Sequence, residues 1–421
     1  MKVVHFSTYE SLGGAGRASY GIHTALVESE CDSLMVAVHT SNTTERTLQN
    51  NEKTRQHTTN LRQMQLELLS SSKPAGDFSP DVSPFTTLDA LQLPFVPDII
   101  HLHSVAQFLT AHDIWNLWRN YQAPIVWTMM DMAPFTGGCH YSYGCRRFTD
   151  YCGACPLIHS SEVDDVSRRT WNAKDKWLRD VPITLVGPSQ WSLDLAARSS
   201  LFSDAPQVRI PCGVDTNVYR PRSQLGVRRL LNLPEKTPII FVGAVNWLDE
   251  RKGMKFALES LQKLPHLLPD GAELPIILAA GGNELPALLS QAKLSLRCVP
   301  LVNVQNERLL AMGLQAADVF ICPSTDDFGP MMIPMALLCG TPVVAFESCG
   351  FAPDVIQSRV NGYLAQTGDP LDMAQGIQCV LRLLESGHIT RSHCHEGAFA
   401  EFALTVQAQR YLNLYHELLY S

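Results

Sequence analysis

Residues 317–346 read ADVFICPSTDDFGPMMIPMALLCGTPVVAF. An apolar, β-branched and aromatic run over 318–323 leads into a loop of Pro, Ser, Thr, Asp and Gly over 323–330. A helix-compatible stretch over 332–339 follows, and a second apolar run over 342–346 closes the segment. Both runs are continuously apolar instead of alternating, as expected of parallel strands covered on both faces. Two parallel strands need a crossover between them, so this stretch predicts a βαβ unit.

Working outward, the same unit recurs along the chain. Predicted strands lie at 2–7, 98–103, 125–129, 183–188 and 208–211, then at 238–245, 275–280, 318–323 and 342–346. Helices are expected between them, such as 17–28, with Ala18, Ile22, Ala25 and Leu26 along one face. Another covers 254–264, with Met254, Ala257, Leu258 and Leu261 on its face. Strand–helix alternation in two halves predicts an α/β protein of two doubly wound domains, and 421 residues suffice for two or three. The expected boundaries are 1–212 and 224–398, joined by a linker at 213–223 (GVDTNVYRPRS). A final helix over 399–421 has Phe399, Phe402, Val406, Leu412, Tyr415 and Leu419 at helical spacing, long enough to pack across both domains. The polar segment 40–83 interrupts the pattern and reads as a partly mobile surface excursion with one helix near 61–69.

Lys and Arg number 33 against 41 Asp and Glu, a net charge of −8 that argues against a broad electrostatic grip on nucleic acid. It leaves room for a small basic pocket or a local membrane-facing patch. The longest apolar stretch, 331–346, is broken by Pro334, Gly340, Thr341 and Pro342, so no transmembrane helix is expected. The first residues, MKVVHFSTYE, lack the features of a signal peptide, which predicts a cytoplasmic protein with mostly reduced thiols.

Four of the 12 cysteines, Cys139, Cys145, Cys152 and Cys155, follow the spacing C-x5-C-x6-C-x2-C. Four soft thiolates in one short loop can close a tetrahedral structural zinc site, and Cys152-Gly153-Ala154-Cys155 has knuckle spacing. Two disulfides, four free thiols or an iron–sulfur cluster are the alternatives. His140 could replace one thiolate. Four protein thiolates would leave no position open for a catalytic water. The loop's neighbouring cations are Arg146 and Arg147 alone, too few for a zinc-knuckle nucleic-acid module. The other eight cysteines read as small buried hydrophobes.

Three further motifs carry chemistry. Gly13-Gly14-Ala15-Gly16-Arg17 follows the first strand and opens a helix, where free N–H groups can meet an anion; tight packing alone is the competing reading. Arg251-Lys252-Gly253 follows the strand 238–245 and suits a diphosphate, or is a solvated basic turn. In the loop 323–330, Asp326 either caps the next helix or holds sugar hydroxyls.

Taken in order, GGAGR, DIIHLH at 98–103, VGPSQW at 186–191, IPCGVDTNVYRP at 210–221, FVGAVNWLDERKG at 241–253 and the stretch 317–346 resemble a family 4 glycosyltransferase of the GT-B fold. The loop 136–156, with TGGCHY and C-x-x-C-P, is similar to that of the colanic-acid and O-antigen type. The resemblance implies two Rossmann-like domains facing a cleft, with the C-terminal helix crossing back to the first. It implies a retaining transfer from a nucleotide diphosphate sugar to a saccharide or lipid-linked acceptor in surface-polysaccharide assembly. It also implies peripheral contact with the membrane's inner face and no catalytic divalent metal. Carried over by position, Gly14 would lie near the donor pyrophosphate, and Arg251 and Lys252 would neutralise the leaving group. Asp326 would contact donor sugar hydroxyls, and the N–H groups around Phe328 and Gly329 would add to phosphate binding.

Three positions in two motifs depart from the family pattern. Pro334 stands where the family has a ribose-holding Glu, and Met130 and Ala133 replace the His and Trp of T-x-H-D-x-W. Methionine neither exchanges protons nor donates a strong hydrogen bond. His103 and Asp131 remain as candidate catalytic groups beside Asp326, with strand-end capping as their structural alternative. A catalytically degenerate GT-B protein that binds a sugar or partners an active transferase is the competing function.

Overall fold

The computed structural model describes residues 1–40, 46–49, 52–70, 74–82, 93–302 and 306–420. The excursion predicted over 40–83 lies partly outside these residues. Its described part holds a short strand, Thr47–Gln49, and a helix, Glu52–Leu68, that starts well before the predicted one.

The chain divides into two units, Met1–Gly213 with Gln407–Ser421, and Val214–Val406. The first unit carries β1 (Lys2–Tyr9), β2 (Asp32–His39), β3 (Thr47–Gln49), β4 (Ile99–Leu102), β5 (Ile125–Thr128), β6 (Ile183–Gly187) and β7 (Gln207–Arg209). They form one parallel sheet in the order β3-β2-β1-β4-β5-β6-β7. The second unit carries β8 (Ile239–Gly243), β9 (Ile276–Gly281), β10 (Cys298–Val302), β11 (Val319–Cys322), β12 (Val343–Phe346) and β13 (Gly362–Ala365). Its parallel order is β10-β9-β8-β11-β12-β13. Each unit is thus a doubly wound Rossmann-like domain, and the pair is the GT-B fold that the sequence predicts.

Both sheets reverse direction once, between β1 and β4 and between β8 and β11. Ligands of open α/β sheets bind beyond the carboxyl ends of strands at such switch points. The central strands are buried along their length, as continuous apolar runs require: β4, β5, β8, β11 and β12 expose no residue. Four strands escaped the sequence reading, β2, β3, β10 and β13. Three of them, β3, β10 and β13, lie at sheet edges, where one flank is unpaired and the apolar signal thins. Pro300 inside β10 is tolerated because an edge strand can spare an N–H.

The expected single helix over 399–421 is two helices, Arg391–Phe402 and Leu404–Tyr420. Ala403 between them is extended, and Val214 N donates to Phe402 O at 2.8 Å beside it. Within the residues predicted as a linker, Val214 and Tyr219 are almost fully buried, while Asn217 and residues 220–223 are exposed. At the other end, Gln407 Nε2 donates to Pro211 O, and the Tyr411 and Tyr415 hydroxyls reach Thr128 Oγ1 and His101 Nδ1, each 2.7 Å away. Among the described residues, no helix is long and apolar enough to cross a membrane.

Candidate functional site

In the second unit, two loops leave adjacent strands at the β8–β11 switch point and knit together. The short turn Glu250–Lys252 begins after Asp249, whose carboxylate accepts from Arg251 N at 3.1 Å and pairs with the Arg251 guanidinium at 2.7 Å. Arg251 also donates to the Asp326 carbonyl at 3.2 Å, and Thr325 N donates back to Arg251 O at 2.9 Å. Gly253, with φ +63, lets the turn press on the other loop: a Cβ there would lie 1.9 Å from Pro323 O. Lys252 Nζ pairs with Asp327 Oδ2. Burial works against the Lys252 charge, yet the Asp327 carboxylate outweighs it and holds its pKa above the ordinary value.

Asp326, the predicted sugar-contacting acid, is half-buried, while its neighbour Asp327 is buried and meets the lysine. Sequence reasoning did not single out Asp327 as the partner of Lys252; the Asp-Asp pair was the available signal. Gly329 N donates to Asp327 Oδ1 at 3.3 Å, so this carboxylate already holds one of the N–H groups read as phosphate donors. Phe328 is buried, and a Cβ on Gly329 would strike the Phe351 ring at 2.7 Å. The helix Met332–Leu338 begins just beyond, which puts Pro334 in its first turn, where a missing N–H costs little.

In the first unit, Gly14 is exposed in the first turn of the helix Gly13–Glu28. Leu12 before it offers no side-chain cap, no acidic residue lies in the first turn, and a Cβ on Gly14 would meet nothing within 4 Å. The other predicted groups follow β4 and β5. His103 is fully buried; its Nε2 lies 2.9 Å from His5 Nδ1, and Trp127 Nε1 donates to its carbonyl at 3.0 Å. The nitrogens of His5, His101 and His103 come within 4.8 Å of one another, a trio that the sequence reading did not single out. His101 is committed to Thr128 Oγ1 and Tyr415 OH, both at 2.7 Å. Burial, followed by repulsion from neighbouring imidazoles (His23 in the case of His103), drives all three below their ordinary pKa, His103 to about 3.

Asp131 accepts from Ala133 N at 2.8 Å and from His140 Nδ1 at 2.7 Å. His140 Nε2 lies 2.9 Å from Ser79 Oγ. Both ring nitrogens are therefore engaged, and the idea that His140 replaces a thiolate is corrected: its ring is bound to Ser79 and Asp131. Burial opposes both charges of the Asp131–His140 pair, but their contact prevails, holding the carboxyl low and the imidazole high. His103, Met130, Asp131 and Ser79 line one small cavity with Asp81 and Lys174. Lys174 donates to the carbonyls of Ala133 and Thr136, while burial raises the Asp81 pKa to about 6. Ser79, Asp81 and Lys174 carried no local signal, because only the fold brings them near residue 131.

Cys139, Cys145, Cys152 and Cys155 line a second cavity, and none is in a disulfide. Cys152, Gly153 and Ala154 all have positive φ, the tight knuckle that the spacing suggested. Gly137 N donates to Cys152 Sγ at 3.2 Å, and the N–H groups of Leu157 and Ile158 face Cys155. Burial raises Cys139 to about 12 and Cys152 to about 11. Of the remaining eight cysteines, Cys31, Cys212, Cys322, Cys339, Cys349 and Cys394 are buried, and Cys298 and Cys379 half-buried.

Comparison with known proteins follows this geometry. Residues 236–383, which contain both loops of the second unit's site, match the family model described as Glycosyl transferases group 1. A D-inositol 3-phosphate glycosyltransferase of Geodermatophilus obscurus is 31% identical over 206 residues, 45% of this chain and 43% of the relative. One from Corynebacterium jeikeium is 30% identical over 219 residues, 50% of this chain and 51% of the relative. The chain thus matches about half of the length of these curated relatives. Among solved structures, sucrose-phosphate synthase from Thermosynechococcus elongatus superposes with TM-score 0.70 at 17% identity, covering 99% of both chains. Anabaena HepE in complex with UDP gives 0.64 at 14% identity, covering 99% of this chain and 100% of that one. At such identities the likeness is one of fold.

Proposed function

We infer, for a chain whose second unit belongs to the group 1 glycosyltransferases, that the protein is a retaining transferase using a nucleotide diphosphate sugar. The acceptor is a saccharide or a lipid-linked saccharide, and the product belongs to surface-polysaccharide assembly. The observation that carries this reading is the pair of knitted loops at the β8–β11 switch point, where Arg251 and Lys252 are fixed by Asp249, Asp326 and Asp327.

Chemically, the bond between the anomeric carbon and the diphosphate oxygen breaks, and the acceptor hydroxyl oxygen bonds to that carbon on the same face. The hydroxyl proton leaves with the diphosphate. Negative charge accumulates on the departing oxygens, so cations fixed in advance stabilise the transition state without reorganising. Arg251 and Lys252 take that role, with Asp326 toward the donor sugar's hydroxyls and the N–H groups around Phe328 toward the phosphates. The uncapped helix start at Gly14 offers further N–H groups to an anion. His103 and Asp131 stand on the acceptor side.

Cys139, Cys145, Cys152 and Cys155 would hold a structural zinc ion. Their shared cavity and the N–H donors to Cys152 and Cys155 support this reading; the four sulfurs do not lie within 4.8 Å of one another, so the ion would have to draw them together. Bound zinc would cross-link the loop and supply positive charge to four thiolates, one buried and three half-buried. Elemental analysis of protein purified without added metal should find about one equivalent of zinc; less than half an equivalent, with four titratable thiols, rejects the site.

The transferase reading is tested by incubating the full chain with a panel of nucleotide diphosphate sugars and saccharide or lipid-linked acceptors. Release of nucleoside diphosphate with at least one pairing is expected, and silence across the panel overturns it. A degenerate, sugar-binding protein is the second reading, favoured by Met130 on the cavity wall and Pro334 in the helix turn. It predicts turnover only after Met130→His and Pro334→Glu are combined.

A further inference from the structure

In the second unit, Cys322 ends β11 and Cys349 lies in the turn after β12, where its N–H donates to Phe346 O at 3.1 Å. The two strands are parallel neighbours with Cys322 opposite Ala345, so the turn brings Cys349 back beside the end of β11. Both are free thiols, and their sulfurs touch at 3.9 Å. Cys322 keeps 5% of its surface and Cys349 none. The hydrogen bond from Cys349 holds the Cys322 thiol below its ordinary pKa although burial opposes this. The same bond, with burial, pushes Cys349 up. One sulfur is thus the better nucleophile and the other keeps its proton beside it.

Each cysteine is joined to a residue on which the knitted loops rest. Pro323 follows Cys322, and its carbonyl is the atom against which Gly253 seats the turn of Arg251 and Lys252. Gly350 follows Cys349, and a Cβ on it would lie 2.5 Å from Asp327 O and 3.0 Å from Phe328 O. Phe351, next along, lays its ring on Gly329. The loop of Asp326 and Asp327 is therefore gripped at one end through Cys322 and along its length by the turn of Cys349. A disulfide would draw the two sulfurs from 3.9 Å to about 2 Å. Close-packed surroundings pass such a movement on to their neighbours.

We propose that Cys322 and Cys349 are a peroxide-sensitive dithiol, whose closure to a disulfide displaces the loop of Asp326 and Asp327 and with it the turn of Arg251 and Lys252. The Cys322 sulfur attacks one oxygen of hydrogen peroxide, the O–O bond breaks, and the Cys322 proton leaves with the other oxygen as water. The Cys349 sulfur then attacks the Cys322 sulfenic acid. The S–S bond forms, the S–O bond breaks, and the Cys349 proton leaves with that oxygen as a second water. Two electrons pass from the sulfurs to the peroxide. Cys322 reacts first because it alone of the two keeps exposed surface, and Cys349 resolves it. A thiol reductant reopens the pair. The loss of donor binding rests on the transferase reading; the dithiol and the loop displacement do not.

The test uses the full chain, reduced, freed of reductant and treated with a small molar excess of hydrogen peroxide. After the remaining thiols are alkylated, cleavage after Phe328 and Phe346 separates Cys322 from Cys339 and from Cys349. The fragments of Cys322 and Cys349 should appear joined, and dithiothreitol should release them. On the same samples, amide exchange at Thr325, whose N–H donates to Arg251 O, should quicken about tenfold or more on oxidation. Affinity for UDP, ADP or GDP, whichever the reduced chain binds, should fall about tenfold or more. Cys349→Ala should keep the nucleotide affinity and lose both responses to peroxide; Cys349→Ser repeats the measurement should alanine unfold the unit. Absence of the joined fragments overturns the proposal, as does a disulfide that leaves Thr325 exchange or nucleotide affinity unchanged. Joined fragments and faster exchange in a chain that binds no nucleoside diphosphate when reduced keep the dithiol and count against the transferase. Nucleotide binding without joined fragments does the reverse.

Discussion

Lys252 and Asp327, 75 residues apart in the chain, form the ion pair that ties the loop after β8 to the loop after β11. Asp327 is buried and Lys252 half-buried, and the same carboxylate also accepts from Gly329 N. Taking away the lysine leaves the Asp327 carboxylate buried and unmatched, whereas taking away the carboxylate leaves a partly hydrated lysine that is no longer fixed.

Lys252→Ala should therefore lower kcat for nucleoside diphosphate release by about 10²-fold or more, the scale seen when one preorganised charge-stabilising donor is removed. Asp327→Asn should act differently, raising the KM for the donor while leaving a smaller deficit in kcat, because the lysine remains but is no longer fixed. Steady-state kinetics on both variants checks this; equal effects on KM and kcat in the two would contradict the assignment of roles.

Gly253 is the second constraint on this site. An alanine there meets both a left-handed φ and a Cβ 1.9 Å from Pro323 O. Gly253→Ala should destabilise the second unit by about 2 kcal/mol or more and loosen donor binding in parallel. Urea unfolding together with calorimetric binding of the donor reads both; Gly14→Ala, where a Cβ meets open space, is the control that should leave stability within about 1 kcal/mol.

Acid should unfold the first unit early. His5, His23, His101 and His103 are buried with pKa values below the ordinary 6.5, chiefly by desolvation, His23 to about 4 and His103 to about 3. Their unfolded forms take up protons first, so the stability gained by keeping them neutral is complete above pH 6.5. It is lost progressively as pH falls toward 4 and then 3. Asp81, raised to about 6, has the opposite sign and loses stability as pH rises from 3.8 to 6. Against the effect of burial, Asp131 also raises the His140 pKa, so His140 shares the sign of Asp81, but four imidazoles outnumber these two groups. Denaturant midpoints measured from pH 7 to 4.5 should fall, and a flat or rising profile would contradict the buried neutral cluster.

Tyr415 links that cluster to the end of the chain through its hydroxyl on His101 Nδ1. Tyr415→Phe keeps the ring and removes one buried hydrogen bond, leaving the imidazole nitrogen unpaired. A loss of about 1–3 kcal/mol is expected. Thermal and urea unfolding check it, and Phe399→Ala, at a residue 44% exposed, should cost distinctly less.

The interior strands β1, β4, β5, β6, β8, β9, β11 and β12 were legible, since burial on both faces writes a continuous apolar run into the sequence, while the interior β2 escaped and the edge strand β7 was read. The edge strands β3, β10 and β13 were not, because an edge carries a weaker demand for apolar residues. Arg251 and Lys252 were visible as paired cations at a strand-to-helix turn, and the four cysteines as a spaced set. Composition and local pattern therefore determined the two doubly wound sheets, the loop that carries the four cysteines and the turn that carries Arg251 and Lys252.

Tertiary structure decided which of two adjacent acids meets Lys252, because that depends on how a loop is aimed once Gly253 lies on Pro323. It moved His140 from the thiol loop to Ser79 and Asp131, since only an antiparallel contact between residues 78 and 139 brings those three segments together. It also stacked three histidines from two neighbouring strands, where parallel pairing sets His5 directly beside His101. Local spacing controls which way a side chain leaves its own strand or helix. Partners chosen across tens or hundreds of residues follow from strand order and register, which no short stretch of sequence contains.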